Sequence, residues 1–176
     1  MITRIFHDWE FLEDGETIIP ISVGMKASTG DKYYAEFILP EAVLERIHNH
    51  EFLSENVVPK LEGKPQVFAE IALQIPDFIN SFAGVELWAD YAAYDHVCLA
   101  QLFGPMINMP KGIPWFTNDI ETVKSLALLN NYEDQHDYIK RRAPKQPDAE
   151  QHHALRDAEY DEAKFNHYFH WLQDSR

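Results

Sequence analysis

Apolar and polar residues alternate over the first forty positions in three runs, Ile2 to Phe11, Thr17 to Ala27 and Lys32 to Leu39, and a period of two predicts three β-strands. Between them lie Glu13-Asp14-Gly15-Glu16 and Ser28-Thr29-Gly30-Asp31, in which Gly15 and Gly30 allow the positive φ that tight turns require. Connections this short join antiparallel neighbours, so the chain is expected to open with a three-strand meander that Pro40 closes. The period then changes to that of helices. Val43, Leu44 and Ile47 predict a helix over Glu41 to Asn49. Val67, Phe68, Ile71, Ile75, Phe78 and Ile79 predict another over Pro65 to Phe82, kinked or broken at Pro76. Val85 to Ala89, after Gly84, reads as a strand buried in the sheet, followed by a helix from about Tyr94 to Phe103 that Gly104-Pro105 ends.

Met106 to Pro114 is a Pro- and Gly-punctuated connection, Trp115 to Thr117 reads as a short last strand, and Ile120 to Leu129 as a helix. Asn130 to Ala149 is polar, without apolar periodicity, and reads as a loop. Leu155, Phe165, Phe169 and Leu172 carry a final helix over Glu150 to Leu172. Strands first, then helix and strand in alternation, predict an α/β fold: a mixed sheet of about five strands flanked by helices.

At 176 residues with 45% hydrophobic side chains, the chain fits one domain, residues 1–176, with a sizeable core. Its N-terminus turns polar too soon for a signal peptide, and no apolar run approaches the roughly 20 residues that cross a bilayer, so no membrane and a cytoplasmic location are expected. The single cysteine, Cys98, lies in an apolar run and reads as a small buried hydrophobe. The net charge of −14, from 15 basic against 29 acidic residues, argues against a protein that coats nucleic acid by counterion release. It leaves room for a nuclease, because a site for divalent cations needs carboxylates and the cations then supply positive charge for a phosphate.

Three segments can carry chemistry. Asp8-Trp9-Glu10 sits near the end of the first strand, where residues two apart share a face; the pair can hold metal or form a solvated edge. Asp95, in Ala93-Tyr94-Asp95-His96, stands where a carboxylate caps a helix and where open sheets also bind ligands; His96 beside it reads as a local hydrogen-bonding partner. His152 and Asp157 lie in His152-His153-Ala154-Leu155-Arg156-Asp157-Ala158, at the start of the last helix. The positive end of a helix dipole keeps an imidazole neutral and able to accept a proton, although a surface histidine fits the same position.

In this order and context, the three segments resemble the motifs of the DEDDh 3′-to-5′ exonucleases, the ribonuclease T-like class. Asp8 and Glu10 match the first-motif Asp-X-Glu, Asp95 the second-motif aspartate, and His152 and Asp157 the His-X-Ala-Leu-X-Asp-Ala form of the third. More narrowly, the chain resembles the polyadenylate-specific 3′-exoribonuclease AS family of bacteria and phages. Phe11-Leu12-Glu13-Asp14-Gly15, Glu86-Leu87-Trp88-Ala89, Ala93-Tyr94-Asp95-His96-Val97 and Gln101-Leu102-Phe103-Gly104-Pro105-Met106 carry that likeness. Two positions depart from it: many relatives have His-Asn where this chain has Asp90-Tyr91, and Trp9 is bulky for the middle of the first motif.

The resemblance implies a ribonuclease H-like fold and hydrolysis of RNA from the 3′ end to nucleoside 5′-monophosphates. It implies two Mg²⁺ ions, with Mn²⁺ able to substitute, held by Asp8, Glu10, Asp95 and Asp157, and His152 as general base. Trp9, Phe11 and Trp115 are candidates to stack on the terminal base, and core packing is the alternative use of the same aromatics. Lys140, Arg141, Arg142 and Lys145 form a basic cluster in an acidic chain, so Arg141 and Arg142 are candidates to steer a phosphate backbone. A DNA 3′ end is the alternative substrate, an acidic nucleic-acid mimic or interaction protein the non-catalytic alternative, and a homodimer the assembly that related enzymes suggest.

Overall fold

The computed structural model describes residues 2–174. A six-stranded mixed sheet runs in the order β4-β3-β2-β1-β5-β6. The expected meander is its centre: β1 (Thr3–Glu13), β2 (Ile18–Ala27) and β3 (Lys32–Phe37) are successive antiparallel neighbours. The β1–β2 register shifts between Glu10 and Phe11, where Pro20, which has no N–H to donate, enters the ladder. β5 (Val85–Ala89) pairs parallel with β1, as a strand reached through a crossover helix must.

Alternation along β1 divides the protein into two layers. Ile5 and Trp9 enter a core with Ile71, Ile75 and Ile79 of α2 (Phe68–Asn80) and Cys98 and Leu99 of α3 (Ala93–Gln101). Phe6 enters a second core with Ile120, Val123 and Ala127 of α4 (Ile120–Leu129), Ile139 of α5 (Glu133–Arg142), and Phe165 and Tyr168 of α6 (Ala154–Asp174). Asp8 and Glu10 are in phase with Phe6 and therefore face the α6 side. α1 (Glu41–Asn49) and a π turn over Leu53–Val57 enclose a smaller cluster around Leu12, Ile21 and Ile47.

Several sequence expectations need correction. The mixed sheet of about five strands is present and gains a sixth, because Pro65–Gln66 forms β4 against the end of β3, at an edge that tolerates proline. The helix expected from Pro65 therefore starts at Phe68. Of the kink or break expected at Pro76, the break is absent: one helix runs through the proline, and Ile71, Ile75 and Ile79 form one buried stripe on both sides of it. Burying them contributes roughly 2 kcal/mol each, which offsets the about 3 kcal/mol that an interior proline costs through its missing N–H and its ring clash. The last strand is β6 (Asn118–Asp119), parallel to Trp88–Ala89 of β5, not Trp115 to Thr117.

The stretch Asn130 to Ala149, expected as a loop, contains α5. Only Ile139 of that helix is buried, so apolar periodicity is absent. Its charges follow the helix dipole instead, with Glu133 and Asp134 in the first turn and Lys140, Arg141 and Arg142 in the last. The final helix starts at Ala154 rather than near Glu150, because His152 takes a positive φ of 62° that no α-helix accommodates. Among the described residues no helix is long and apolar enough to cross a membrane.

Candidate active site

β1 delivers Asp8 and Glu10 to the α6 face, and one glycine lets α6 approach. Gly24 of β2 pairs with Asp8 across the ladder. A Cβ built on it would meet the Leu155 backbone nitrogen at 2.2 Å and the Ala154 carbonyl carbon at 2.3 Å. Ala154 and Ala158 are fully buried, so α6 lies on the sheet through its small residues. This seating brings Asp157 beside Glu10. One ligand atom each from Glu10, His152 and Asp157 lies within 4.8 Å of the others, a group that could hold a metal ion.

Asp95 reaches the same place from α3. Its Oδ1 accepts a 3.0 Å bond from the Trp9 backbone N–H, so the strand bearing Asp8 and Glu10 fixes it directly. The turn from β5 into α3 is strained at Tyr91, whose φ is 52°. It is held from three sides: Asp161 of α6 accepts from the Asp90 N–H at 3.0 Å, Asp119 accepts from the Ala92 N–H at 3.2 Å, and Lys164 bonds Asp90 at 2.6 Å. Lys164 also bonds Glu121 at 2.7 Å, tying α4 and α6 to this turn.

The electrostatics are those of carboxylates crowded away from water. Burial, then the charges of Asp95, Glu10, Asp157 and Asp161, raise the Asp8 carboxyl well above the usual range. Burial, with Asp157 beside it, pushes Glu10 up to about 8. Burial raises Asp95 to about 7 against the opposing Trp9 N–H. Asp157 is raised by burial while Gln146 and His152 act the other way, and Asp161 is raised by burial and by Asp90. Such a cluster cannot be fully ionised without positive charge among its oxygens. No arginine or lysine is within ion-pair distance of Asp8, Glu10, Asp95 or Asp157 among the described residues.

His152 stands just outside α6, and the ring edge of Phe52 packs on it at 4.9 Å. It and Asp157 wall a cavity of about 480 Å³ that Lys145, Gln146, Asp148, Gln151 and Tyr160 also line. A second cavity, about 230 Å³, is lined by Glu10 together with Trp9, Phe11, His50 and Phe52. Phe52 borders that cavity as well as His152, yet it was no sequence candidate, since nothing local distinguishes it from core aromatics.

The remaining sequence candidates fall in different places. Trp9 is 3% exposed and stacks on Phe37 at 6.0 Å, while its indole N–H donates to His7 at 3.0 Å: it is core, exposing only an edge to the second cavity. Phe11 stacks on Tyr94 at 5.7 Å and also lines that cavity. Trp115 is exposed but lines neither cavity. Arg141 pairs with Asp137 and Arg142 lies over the Tyr138 ring, both on the outer side of α5 and outside the two cavities. His96 meets Thr117, 21 positions on, at 3.1 Å and not a neighbour in its own segment, and Cys98 is buried with its thiol pushed up by that burial. Asp161 and Gly24 were missed although each left a signal: Asp161 is one helical turn beyond Asp157, and an isolated glycine in a strand marks close backbone approach.

Residues 3–169 match the 3′-5′ exoribonuclease Rv2179c-like domain. The chain belongs to this family. Two Mycobacterium tuberculosis proteins carrying the name 3′-5′ exoribonuclease, Rv2179c and MT2234.1, are each 40% identical to this exoribonuclease over 126 residues, or 66% of its chain and 71% of theirs. The structure resembles Escherichia coli ExoI in its zinc-bound complex with single-stranded DNA, with a TM-score of 0.58. That match covers 93% of this chain but only 40% of the ExoI chain, at 14% identity, and it establishes the ribonuclease H-like fold. The exoribonuclease is therefore a hydrolase of the 3′-to-5′ exonuclease type.

Proposed function

We propose that this exoribonuclease removes nucleoside 5′-monophosphates from RNA 3′ ends with Asp8, Glu10, Asp95 and Asp157 as ligands for two divalent cations and His152 as general base. The observation that carries the reading is the convergence of Glu10, His152 and Asp157 within 4.8 Å, with the half-buried Asp8 one pleat away on the same strand face as Glu10 and with the buried Asp95 tied to the Trp9 N–H between them. The residues fit such ions. Four carboxylates offer hard oxygen donors of the kind Mg²⁺ and Mn²⁺ select, and their raised proton affinities are what anionic groups show when a cation has yet to neutralise them. Ions held there would acidify the attacking water and set positive charge against the phosphodiester.

The chain's own groups do the rest. His152, at the edge of the cluster, accepts the proton of the attacking water, and its place outside α6 lets the ring face the cavity and not the sheet. Asp95, fixed by the Trp9 N–H, keeps one carboxylate wall rigid while the turn clamped by Asp161 and Lys164 bears the strain. The cavity between Glu10, Phe11 and Phe52 offers an aromatic-walled seat for a terminal base.

The test is incubation with a 3′-overhang RNA and its DNA counterpart in Mg²⁺, with EDTA and Asp157→Asn controls, resolving products at single-nucleotide steps. A metal-dependent ladder on RNA that Asp157→Asn abolishes supports the reading. A ladder on DNA alone moves it to a deoxyribonuclease with the same site, and undiminished cleavage by Asp157→Asn removes Asp157 from the site.

A further inference from the structure

The cavity walled by His152 and Asp157 has one lysine or arginine in its lining, Lys145, against the carboxylates of Asp148 and Asp157. The other members of the basic cluster are spent elsewhere: Arg141 on Asp137, Arg142 on the Tyr138 ring, and Lys140 exposed on α5, outside that lining. Lys145 is exposed and, among the described residues, forms no ion pair and no hydrogen bond of its own. A solvated lysine on a flexible loop would mean little, but this loop is fastened on both sides of it. The carbonyl of Pro144 accepts a 3.0 Å bond from the Tyr160 hydroxyl. The Gln146 amide donates to Asp157 and to the Glu150 carbonyl, and the Gln146 carbonyl accepts from Gln151 at 3.3 Å. Farther along, Lys60 holds the Ala149 carbonyl at 2.7 Å. Prolines 144 and 147 narrow the backbone freedom of what remains. The segment is thus built to present one ammonium at the mouth of the cavity, in a protein whose net charge of −14 otherwise repels a polyanion.

We propose that Lys145 binds a nonbridging phosphate oxygen of the RNA strand lying in this cavity. The proposal rests on the exoribonuclease reading of the same site and adds a strand-positioning residue to it. An ammonium is a point charge with three donors, suited to a phosphate whose exact orientation varies with the base at the 3′ end. The contact is made to bound substrate and persists into the transition state, so it belongs to KM more than to kcat.

The experiment compares wild type, Lys145→Gln and Lys145→Arg on a single-stranded RNA. It measures steady-state cleavage in Mg²⁺ and, independently of turnover, anisotropy of the labelled RNA in Ca²⁺ over a range of salt. Lys145→Gln is expected to raise KM and the dissociation constant about tenfold, with kcat within about twofold, and to lower the salt slope by about one counterion. Lys145→Arg is expected to restore both. Unchanged affinity and slope in Lys145→Gln overturn the proposal, as does a kcat loss without a KM change, which would place Lys145 in the chemical step. A wild type that binds RNA in Ca²⁺ through Lys145 but leaves no ladder in Mg²⁺ would defeat the exoribonuclease reading and spare this one. A normal wild-type ladder with an indifferent Lys145→Gln would do the reverse.

Discussion

At the scale of single residues, His152 shows how chemistry and conformation were settled together. A positive φ of 62° is costly for a residue with a Cβ, and it stands immediately before the residue that precedes α6: the His153 carbonyl accepts from the Arg156 and Asp157 N–H groups. The side chain is thereby turned toward Glu10 and Asp157 and away from the helix. Replacing His152 with Ala keeps a Cβ and the backbone, so kcat is expected to fall by about 10²–10⁴-fold, the usual range for a general base, while the melting temperature stays within about 2 °C. Single-turnover rates and thermal unfolding of the same sample check both halves. The five motif residues were legible as candidates because side-chain identity at motif spacing was the signal, and the fold brings Glu10, His152 and Asp157 of them within 4.8 Å. Identity alone did not tell which aromatic and basic residues line the two cavities, as Phe52 and Lys145 do and Trp115, Arg141 and Arg142 do not, since such residues serve cores, surfaces and sites alike.

At the scale of elements, the seating of α6 on β2 decides whether a site exists at all. A methyl group at position 24 would overlap backbone atoms of Ala154 and Leu155, which cannot rotate aside as a side chain can. Gly24→Ala is therefore expected to cost about 2–3 kcal/mol, a melting-temperature loss of roughly 4–12 °C, and to reduce turnover further by lifting Asp157 from Glu10. Calorimetry and cleavage rates at a temperature where the variant is folded test this; an unchanged rate there would mean that the helix start does not set the site. Elements were legible where burial imposes a period, as in the meander, in β5 and in α4. They were illegible where it does not. α5 buries one residue, β4 and β6 are two-residue edge pairings fixed by their neighbours, and Pro76 sits in a helix that packing holds together.

For the molecule as a whole, the dominant fact is charge. The protein carries −14 and concentrates Asp8, Glu10, Asp95, Asp157 and Asp161 in one interior region, where burial raises each proton affinity. A cation that binds only the folded state relieves this repulsion and adds stability by mass action, about 2.7 kcal/mol at a hundred times its dissociation constant. Saturating Mg²⁺ is accordingly expected to raise the melting temperature by roughly 5–10 °C over EDTA, and Asp8→Asn to remove most of that increment. An equal increment in the variant would assign the stabilisation to the acidic surface instead.

The sequence by itself determined the mixed sheet with its opening meander, the helical layers and the order of the chemical groups, because each follows from a local period or a local motif. Only the tertiary structure decided which of those groups meet. The distance between Glu10 and Asp157, the clamp of Asp161 and Lys164 on the Asp90 turn, and the separation of Lys145 from its basic neighbours all depend on contacts between residues far apart in the chain. Backbone approach at a glycine and the pinning of a loop set such contacts, and neither leaves more than a trace in the pattern of side chains.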